Sequence, residues 1–517
     1  MTSKRFRLAA VSGCLALAVA GQVPFAPTAS ALVQLNGSGS TYVGLAMSDW
    51  QNGANSRGVS VNYSALGSPA GVNQYGDQTV DFGGTEAEIS SLIAAGGGGA
   101  TAQRRGYQYV PDVAGAVAVM YNVTDAGGKK VDYLHLSREA VARIFTRDIT
   151  SWADPAITVS NGGKALPDHE ITLVGRTGQS GTTALFYDFI AHAAPDAYNR
   201  FVTANADNGI GTLPPGVRPI QLPNAPWYRL FADSDQIAQT VASGSVPFSI
   251  GYDEFGYAKK YGAPTAWVQN QSGAWVQPYA ENIAAALAKA NLRPDLSQEL
   301  GEVYTNPDPK TYPISAYSYL MTPCASGRDT CKGGYSDQSK TDTAAAFLEH
   351  VSCDGQVNMS RIGYSPLPPN LSQEMMNAEA RLTGKPAKHL TAANCNNPTF
   401  HGSLGAGAAS PEDPFVKLGG VDKLTKGGTG NSAGNAAGNP SQTGPATTGP
   451  DTGSASATTS ADDGLANDGT KAWRGAEAAA YDGGGLGGFG GWPALVLFIA
   501  IVAPLLIRGV VRRIRRG

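Results

Sequence analysis

The sequence predicts an α/β protein of two lobes built on mostly parallel sheets. Three observations carry this. From about residue 33 to 382, short strand-like runs alternate with helix-like ones. Four of the strand ends pass through Gly, Ser or Thr residues straight into a helix start. The alternating stretch is also about 350 residues long, more than one hydrophobic core of ordinary size serves, so it divides.

The elements follow in order. Residues 58–66 (GVSVNYSAL) and 79–82 read as short strands, and 86–94 as a helix. Residues 114–121 form an apolar run typical of a buried strand, and 137–147 have helical periodicity. Residues 171–174 read as a strand, 182–192 as a helix and 246–252 as a strand. Two Ala-rich helices are expected at 281–291 and 341–351.

The ends belong to other classes. Lys4, Arg5 and Arg7 precede an apolar run at 8–20 and a small-residue site at Ala29-Ser30-Ala31, which marks residues 1–31 as a secretory signal peptide. Val11-Ser12-Gly13-Cys14 has the look of a lipoprotein box, but its apolar stretch is too short, so cleavage after Ala31 is preferred. Residues 483–507 carry no charge, and 492–507 are strongly apolar, long enough to span a bilayer. Pro493 and Pro504 fall near the ends of that span, where they are tolerated. Arg508, Arg512, Arg513, Arg515 and Arg516 place the tail 508–517 in the cytoplasm. From Gly402 to Gly491 lie 23 of the 65 glycines. Residues 401–482 therefore read as a disordered Gly/Ser/Thr/Ala-rich tether, with a reach on the order of 50 Å. The expected product is a single-pass cell-membrane protein with its globular domain, 32–400, outside the cytoplasm.

Charge sharpens this picture. The whole chain has 38 basic and 41 acidic residues. The signal holds three of the basic residues and the tail five, which leaves the exported part 30 against 41, a net of −11. Such a surface repels nucleic acid and other polyanions at long range, so any anion it holds is held by local geometry. After the signal four cysteines remain, Cys324, Cys331, Cys353 and Cys395. An even number in an exported chain favours two disulfides. Of three connectivities, Cys324–Cys331 with Cys353–Cys395 is preferred, because the first pair flanks a short Gly/Asp-containing loop.

Chemistry concentrates at the strand–loop–helix junctions. The clearest is Ile171-Thr-Leu-Val-Gly-Arg176-Thr-Gly-Gln-Ser180-Gly181-Thr182-Thr183. Unpaired N–H groups and the partial positive charge of a helix start make an anion site. Ser180 and Thr182 add hydroxyl donors, and Arg176 offers a two-pronged bond to an oxyanion. The second junction, Leu35-Asn-Gly37-Ser-Gly39-Ser-Thr41-Tyr42, places Thr41 at a helix start. The third, Leu66-Gly67-Ser68-Pro69, puts Ser68 at an N-cap with Pro69 in the first turn. In the fourth, Val80-Asp81-Phe82-Gly83-Gly84-Thr85-Glu86, Glu86 begins a helix. Gly37, Gly39, Gly67 and Gly181 are expected in loops whose backbone approaches an anion.

In order and spacing these junctions resemble the PstS phosphate-binding proteins, the substrate-binding components of phosphate ABC importers. The resemblance extends over about residues 33–382. It includes Gly58–Gly71, Val110-Pro-Asp-Val-Ala-Gly-Ala-Val, Ile149-Thr-Ser-Trp152, Ser249-Ile-Gly-Tyr252 and Gly363-Tyr-Ser-Pro-Leu-Pro368. It implies a two-lobed periplasmic-binding-protein fold of type II, with a second lobe at roughly 122–248 and inorganic phosphate in the cleft. The strand at 114–121 would lead into that lobe and 250–252 would return from it. The implied phosphate contacts are Thr41, the Tyr42 backbone, Ser68 and Glu86 in the first lobe, and Arg176, Ser180, Gly181 and Thr182 in the second. The implied partner is an ABC permease. Two positions depart from the family pattern. Glu86 stands where Asp is usual, and no acid lies near Gly178 to pair with the arginine.

Catalysis is not expected. The six histidines are scattered, H-E-x-x-H and G-x-x-x-x-G-K-[ST] patterns are absent from the sequence, and no G-x-S-x-G forms a strand-to-helix elbow, since Gly430-Asn-Ser-Ala-Gly434 lies in the Gly-rich stretch. No catalytic, metal or cofactor site is therefore predicted. Two alternatives stay open at this stage: a membrane-tethered surface sensor or adhesion module that reuses the fold, and a binder of another oxyanion.

Overall fold

The computed structural model describes residues 32–417. The expected signal peptide, most of the tether, the 483–507 span and the basic tail lie outside the described residues. Among the described residues no helix is long and apolar enough to cross a membrane.

Eight strands make the main sheet. They are β1 (Leu35–Gly39), β2 (Val61–Ala65), β3 (Phe82–Thr85), β4 (Gln108–Asn122), β5 (Thr172–Arg176), β6 (Tyr228–Phe231), β7 (Ser249–Glu254) and β8 (Ser315–Thr322). Their spatial order is β2-β1-β3-β8-β4-β7-β5-β6. Both outer parts are parallel, with β1 beside β2 and β3, and β5 beside β6 and β7. The centre is antiparallel, because β4 pairs with β8 and with β7 in opposite directions. The expectation of mostly parallel pairing thus holds for the outer strands only, since β8 pairs antiparallel with both β3 and β4. Where the chain runs out of one lobe and back, strands must alternate in direction.

β4 divides the molecule. Its first part, from Gln108 to Ala116, pairs with β8 in the first lobe. Its second part, from Val117 to Asn122, pairs with β7 on the second-lobe side. All but the last of its 15 residues are buried, which accounts for the continuous apolar run in the sequence. Local signals set the flanking helices. Ser137 caps Arg138–Phe145 by accepting the Ala140 N–H, and Val141, Ile144 and Phe145 turn inward.

Several expected boundaries move: the strand foreseen at 114–121 begins at Gln108, and the helix foreseen at 281–291 is Ala280–Leu287. The strand foreseen at 79–82 is Phe82–Thr85, and the helix foreseen from Glu86 starts at Ile89. The Thr85 hydroxyl explains this. It donates to the Ala87 carbonyl at 2.7 Å and accepts the Ala87 N–H at 3.1 Å, which closes a turn through Glu86. The strand foreseen at 246–252 is Ser249–Glu254, so it carries two acids into the interior. Gly37 and Gly39 lie inside β1, not in a loop. A side chain at Gly37 would strike the Phe82 ring, and one at Gly39 would strike the Gly84 backbone. They serve close packing of β1 on β3. The disulfides are Cys324–Cys331 and Cys353–Cys395, the preferred pairing.

The packed chain also continues past position 400, where the sequence was read as tether. Ser360 donates its hydroxyl to the Leu404 carbonyl. The Glu281 N–H donates to Ala408 O at 3.1 Å, and the Ser410 N–H donates to Glu281 Oε1 at 2.6 Å. Asp413 then meets His135 Nε2 at 3.1 Å. The Phe415 ring stacks on His135 with centroids 4.1 Å apart, and Trp267 covers the other face at 5.8 Å. Residues 404–415 thus form a strap anchored by one buried aromatic ring. Phe415→Ala should weaken its docking by ~2 kcal/mol. Hydrogen exchange is expected to quicken roughly 30-fold at the Ser410 and Phe415 amides while β4 stays protected.

Candidate functional site

The site gathers where β1, β3 and β5 end. Thr41 sits in the turn after β1, ahead of the helix Gly44–Asn55. Three tyrosine hydroxyls from distant segments fix that turn. Tyr63 donates to Ser40 O at 2.9 Å, Tyr257 to Thr41 O at 2.9 Å and Tyr364 to Tyr42 O at 2.7 Å. With these carbonyls held, the Thr41 hydroxyl meets Arg176 of the second lobe. Thr41 does not start the helix, as its sequence position had suggested. The Tyr42 N–H donates to Ser40 Oγ at 3.0 Å, so this expected phosphate donor is engaged locally.

Ser68 lies one residue inside the helix Ser68–Gly76, and Gly67 is its cap. Gly67 has φ 100°, a conformation that side chains rarely adopt, so the cap falls to glycine and the Ser68 hydroxyl is released from that task. It donates instead to Glu86 Oε2 at 2.5 Å. Glu86 is 4% exposed.

From the second lobe, Ser180 caps the helix Gly181–Ala193 by accepting the Thr183 N–H at 3.4 Å. Thr182 donates its hydroxyl to Glu86 Oε1 at 2.9 Å. One carboxylate therefore receives hydroxyls from both lobes. The helix comes this close because residue 181 is glycine. A Cβ there would sit 2.6 Å from Ser68 Oγ and 2.8 Å from the Glu86 carboxylate. Arg176, at the end of β5 and 4% exposed, donates from Nη1 to Thr41 Oγ1 at 2.7 Å. Its Nε has no hydrogen-bond partner among the described residues. The Gly181 and Thr182 N–H groups have none either.

Thr41, Ser68, Glu86, Arg176, Ser180, Gly181 and Thr182 are thus brought together. Tyr42 adjoins them through its backbone, with its ring in the core. Sequence reasoning missed Asp253. It is buried on β7 beside β5, with Oδ1 accepting from Ser234 Oγ at 3.0 Å and from the Glu254 N–H at 2.8 Å. Burial pushes its carboxyl up to about 6, against the opposing pull of Arg176. The signal available was a pair of adjacent acids closing an otherwise apolar run. Burial likewise holds Asp112 and Glu254 well above the usual carboxylate range. A pocket of about 290 Å³ opens from Glu86, lined in part by Leu92, Leu185, Arg218 and Arg293. Arg218 is paired with Asp188 at 2.8 Å and Arg293 with Glu299 at 2.9 Å.

Fold and site together define a two-lobed α/β binding module with a buried, donor-rich interlobe centre. The chain belongs to the PBP superfamily: the model of the PBP superfamily domain matches residues 26–354. Curated relatives include the phosphate-binding protein PstS of Xylella fastidiosa, 27% identical over 345 residues, which are 66% of this chain and 84% of the relative. Phosphate-binding protein PstS 3 of Mycobacterium tuberculosis is 27% identical over 330 residues, 62% of this chain and 78% of the relative. Among solved structures, a high-affinity periplasmic phosphate-binding protein with bound phosphate aligns at 19% identity and a TM-score of 0.47. That alignment covers 73% of this chain and all of the other.

The Gly181 contact yields a test. Gly181→Ala should force the Gly181–Ala193 helix from Glu86 and break the Thr182 bond. The radius of gyration from solution scattering is then expected to rise, since the two lobes part, while the helix content by circular dichroism stays the same.

Proposed function

We propose that this protein binds inorganic phosphate outside the cytoplasm for ABC-type import, by closing its lobes around the anion. One observation carries the reading: buried hydroxyls from both lobes converge on a single carboxylate beside an arginine with a free N–H. In this scheme Thr41, Ser68, Ser180 and Thr182 supply hydroxyls, the Gly181 and Thr182 N–H groups add the helix start, and Arg176 supplies the countercharge. Closure excludes water, so these contacts act at low dielectric and hold a divalent anion despite the −11 background. Phosphate near neutral pH still carries a proton, and the Glu86 carboxylate accepts the hydrogen bond that this O–H donates. Sulfate has no proton to offer, and the same carboxylate repels it. The names of the PstS relatives support the ligand. No step here needs a nucleophile or general base, so the protein is read as a binder, not a catalyst.

Arg176→Ala is expected to weaken phosphate binding by at least ~2 kcal/mol, the loss of a buried charged contact. Titration calorimetry on residues 32–417 measures it, and an unchanged affinity would remove Arg176 from the site. In the same assay Glu86→Gln should narrow the preference for phosphate over sulfate.

The membrane and permease roles rest on sequence. Residues 483–507 support a single-pass anchor, and the family resemblance supports a permease partner. Full-length protein should sediment with membranes and co-purify with a phosphate permease, whereas a chain ending at 482 is expected in the soluble fraction. Full-length protein in the soluble fraction would remove the anchor. Membrane retention without any permease would favour a surface sensor.

A further inference from the structure

We propose that Asp253 is the positioning residue of Arg176: it supplies, from a neighbouring strand, the carboxylate that the loop after Arg176 lacks. The binding half of this inference rests on the phosphate reading above, and its structural half does not.

The loop from Thr177 to Ser180 contains no acid. The Glu86 oxygens are taken by the Ser68 and Thr182 hydroxyls, so a carboxylate that bonds the buried guanidinium and offsets its desolvation must come from elsewhere. Register identifies where. β5 and β7 are parallel neighbours whose last paired residues are Val174 and Gly251. Arg176 and Asp253 each lie two residues further on, so with the two-residue period of a strand they share one face of the sheet. Both are buried, at 4% and 1% exposure. Each also has one polar atom without a hydrogen-bond partner among the described residues, Nε of Arg176 and Oδ2 of Asp253.

Asp253 is built to stay fixed. Ser234 and the Glu254 N–H hold Oδ1, which leaves Oδ2 as the free oxygen. Arg176 currently spends Nη1 on Thr41. An anion arriving in the cleft competes for the Nη groups and leaves Nε to face the second lobe. An Nε–H to Oδ2 bond would then orient the guanidinium edge toward the ligand. The charged and titratable groups around Asp253 are Arg176, Glu86, Glu254, Tyr252 and Tyr257. Of these, Arg176 is the cation. Burial raises the Asp253 carboxyl to about 6, and Arg176 opposes the rise, so the group is ionised at neutral pH and loses its charge below.

The test uses residues 32–417 with Asp253→Asn, Arg176→Ala and the double variant. In calorimetry, Asp253→Asn should weaken phosphate binding about tenfold at about pH 8, the equivalent of one charge-assisted hydrogen bond. The ratio to wild type should approach one at about pH 5, and titration of the ligand cancels in that ratio. A loss equal at both pH values would mark a structural role and overturn the inference. Denaturation without ligand is the second arm. Without Arg176, ionised Asp253 is left buried and uncompensated, so Arg176→Ala is destabilised at about pH 8 and Asp253→Asn should restore much of that loss. Additive effects of the two substitutions would overturn the inference even if no oxyanion bound. Rescue in denaturation, with no phosphate binding by wild type, would uphold the pair and reject the ligand.

Discussion

A buried strand has to pair its backbone groups, and β4 meets that demand with different neighbours along its length. Up to Ala116 it answers to β8, and from Val117 to β7. The change of partner is what makes two lobes from one sheet. It also fixes where a ligand site can form, because the loops at the ends of β1, β3 and β5 then face each other across the division. The site owes its composition to this constraint. Helix starts and strand ends are the places where backbone N–H groups lack partners, and the fold directs several of them to one point.

The interior around that point is rich in acid for an anion site. Glu86, Asp112, Asp253 and Glu254 are all buried. Burial itself moderates the problem. It disfavours the charged form of Asp112 and Glu254, whose carboxyls are held well above their usual range. The hydroxyls of Ser68 and Thr182 meanwhile stabilise Glu86 as an acceptor. Local hydrogen bonding and desolvation therefore decide the character of the cleft, while the net charge of the exported chain acts only at its surface.

Much of the architecture was legible because its signals are local. The Arg176 to Thr182 junction is readable as strand, loop and capped helix, and Ser180 caps as expected. The readings that failed depended on distant partners. Ser68 looked like a cap because nothing nearby reveals that Glu86 claims its hydroxyl, or that Gly67 takes the cap with a positive φ. Glu86 looked like a helix start because the Thr85 turn is invisible in a propensity pattern. The three tyrosines that hold residues 40–42 come from positions 63, 257 and 364, and no periodicity connects them. Asp253 was missed for a related reason. A strand reading that stops at Tyr252 never asks what a charge is doing in the sheet.

The strap at 404–415 gives the domain a mechanical polarity. A pull on the chain through Lys417 first loads Phe415 against His135, in the segment that enters the second lobe. Force applied there acts as a peel. The His135 contacts would yield first, then the Glu281 bonds, and last the Ser360 bond on the first lobe. Each step releases a few residues of slack before the next contact bears the load. The sheet, whose strands would have to shear together, is spared until the strap is spent. Small tugs on the chain end are thereby absorbed at the surface before they reach β4 and the cleft beside it.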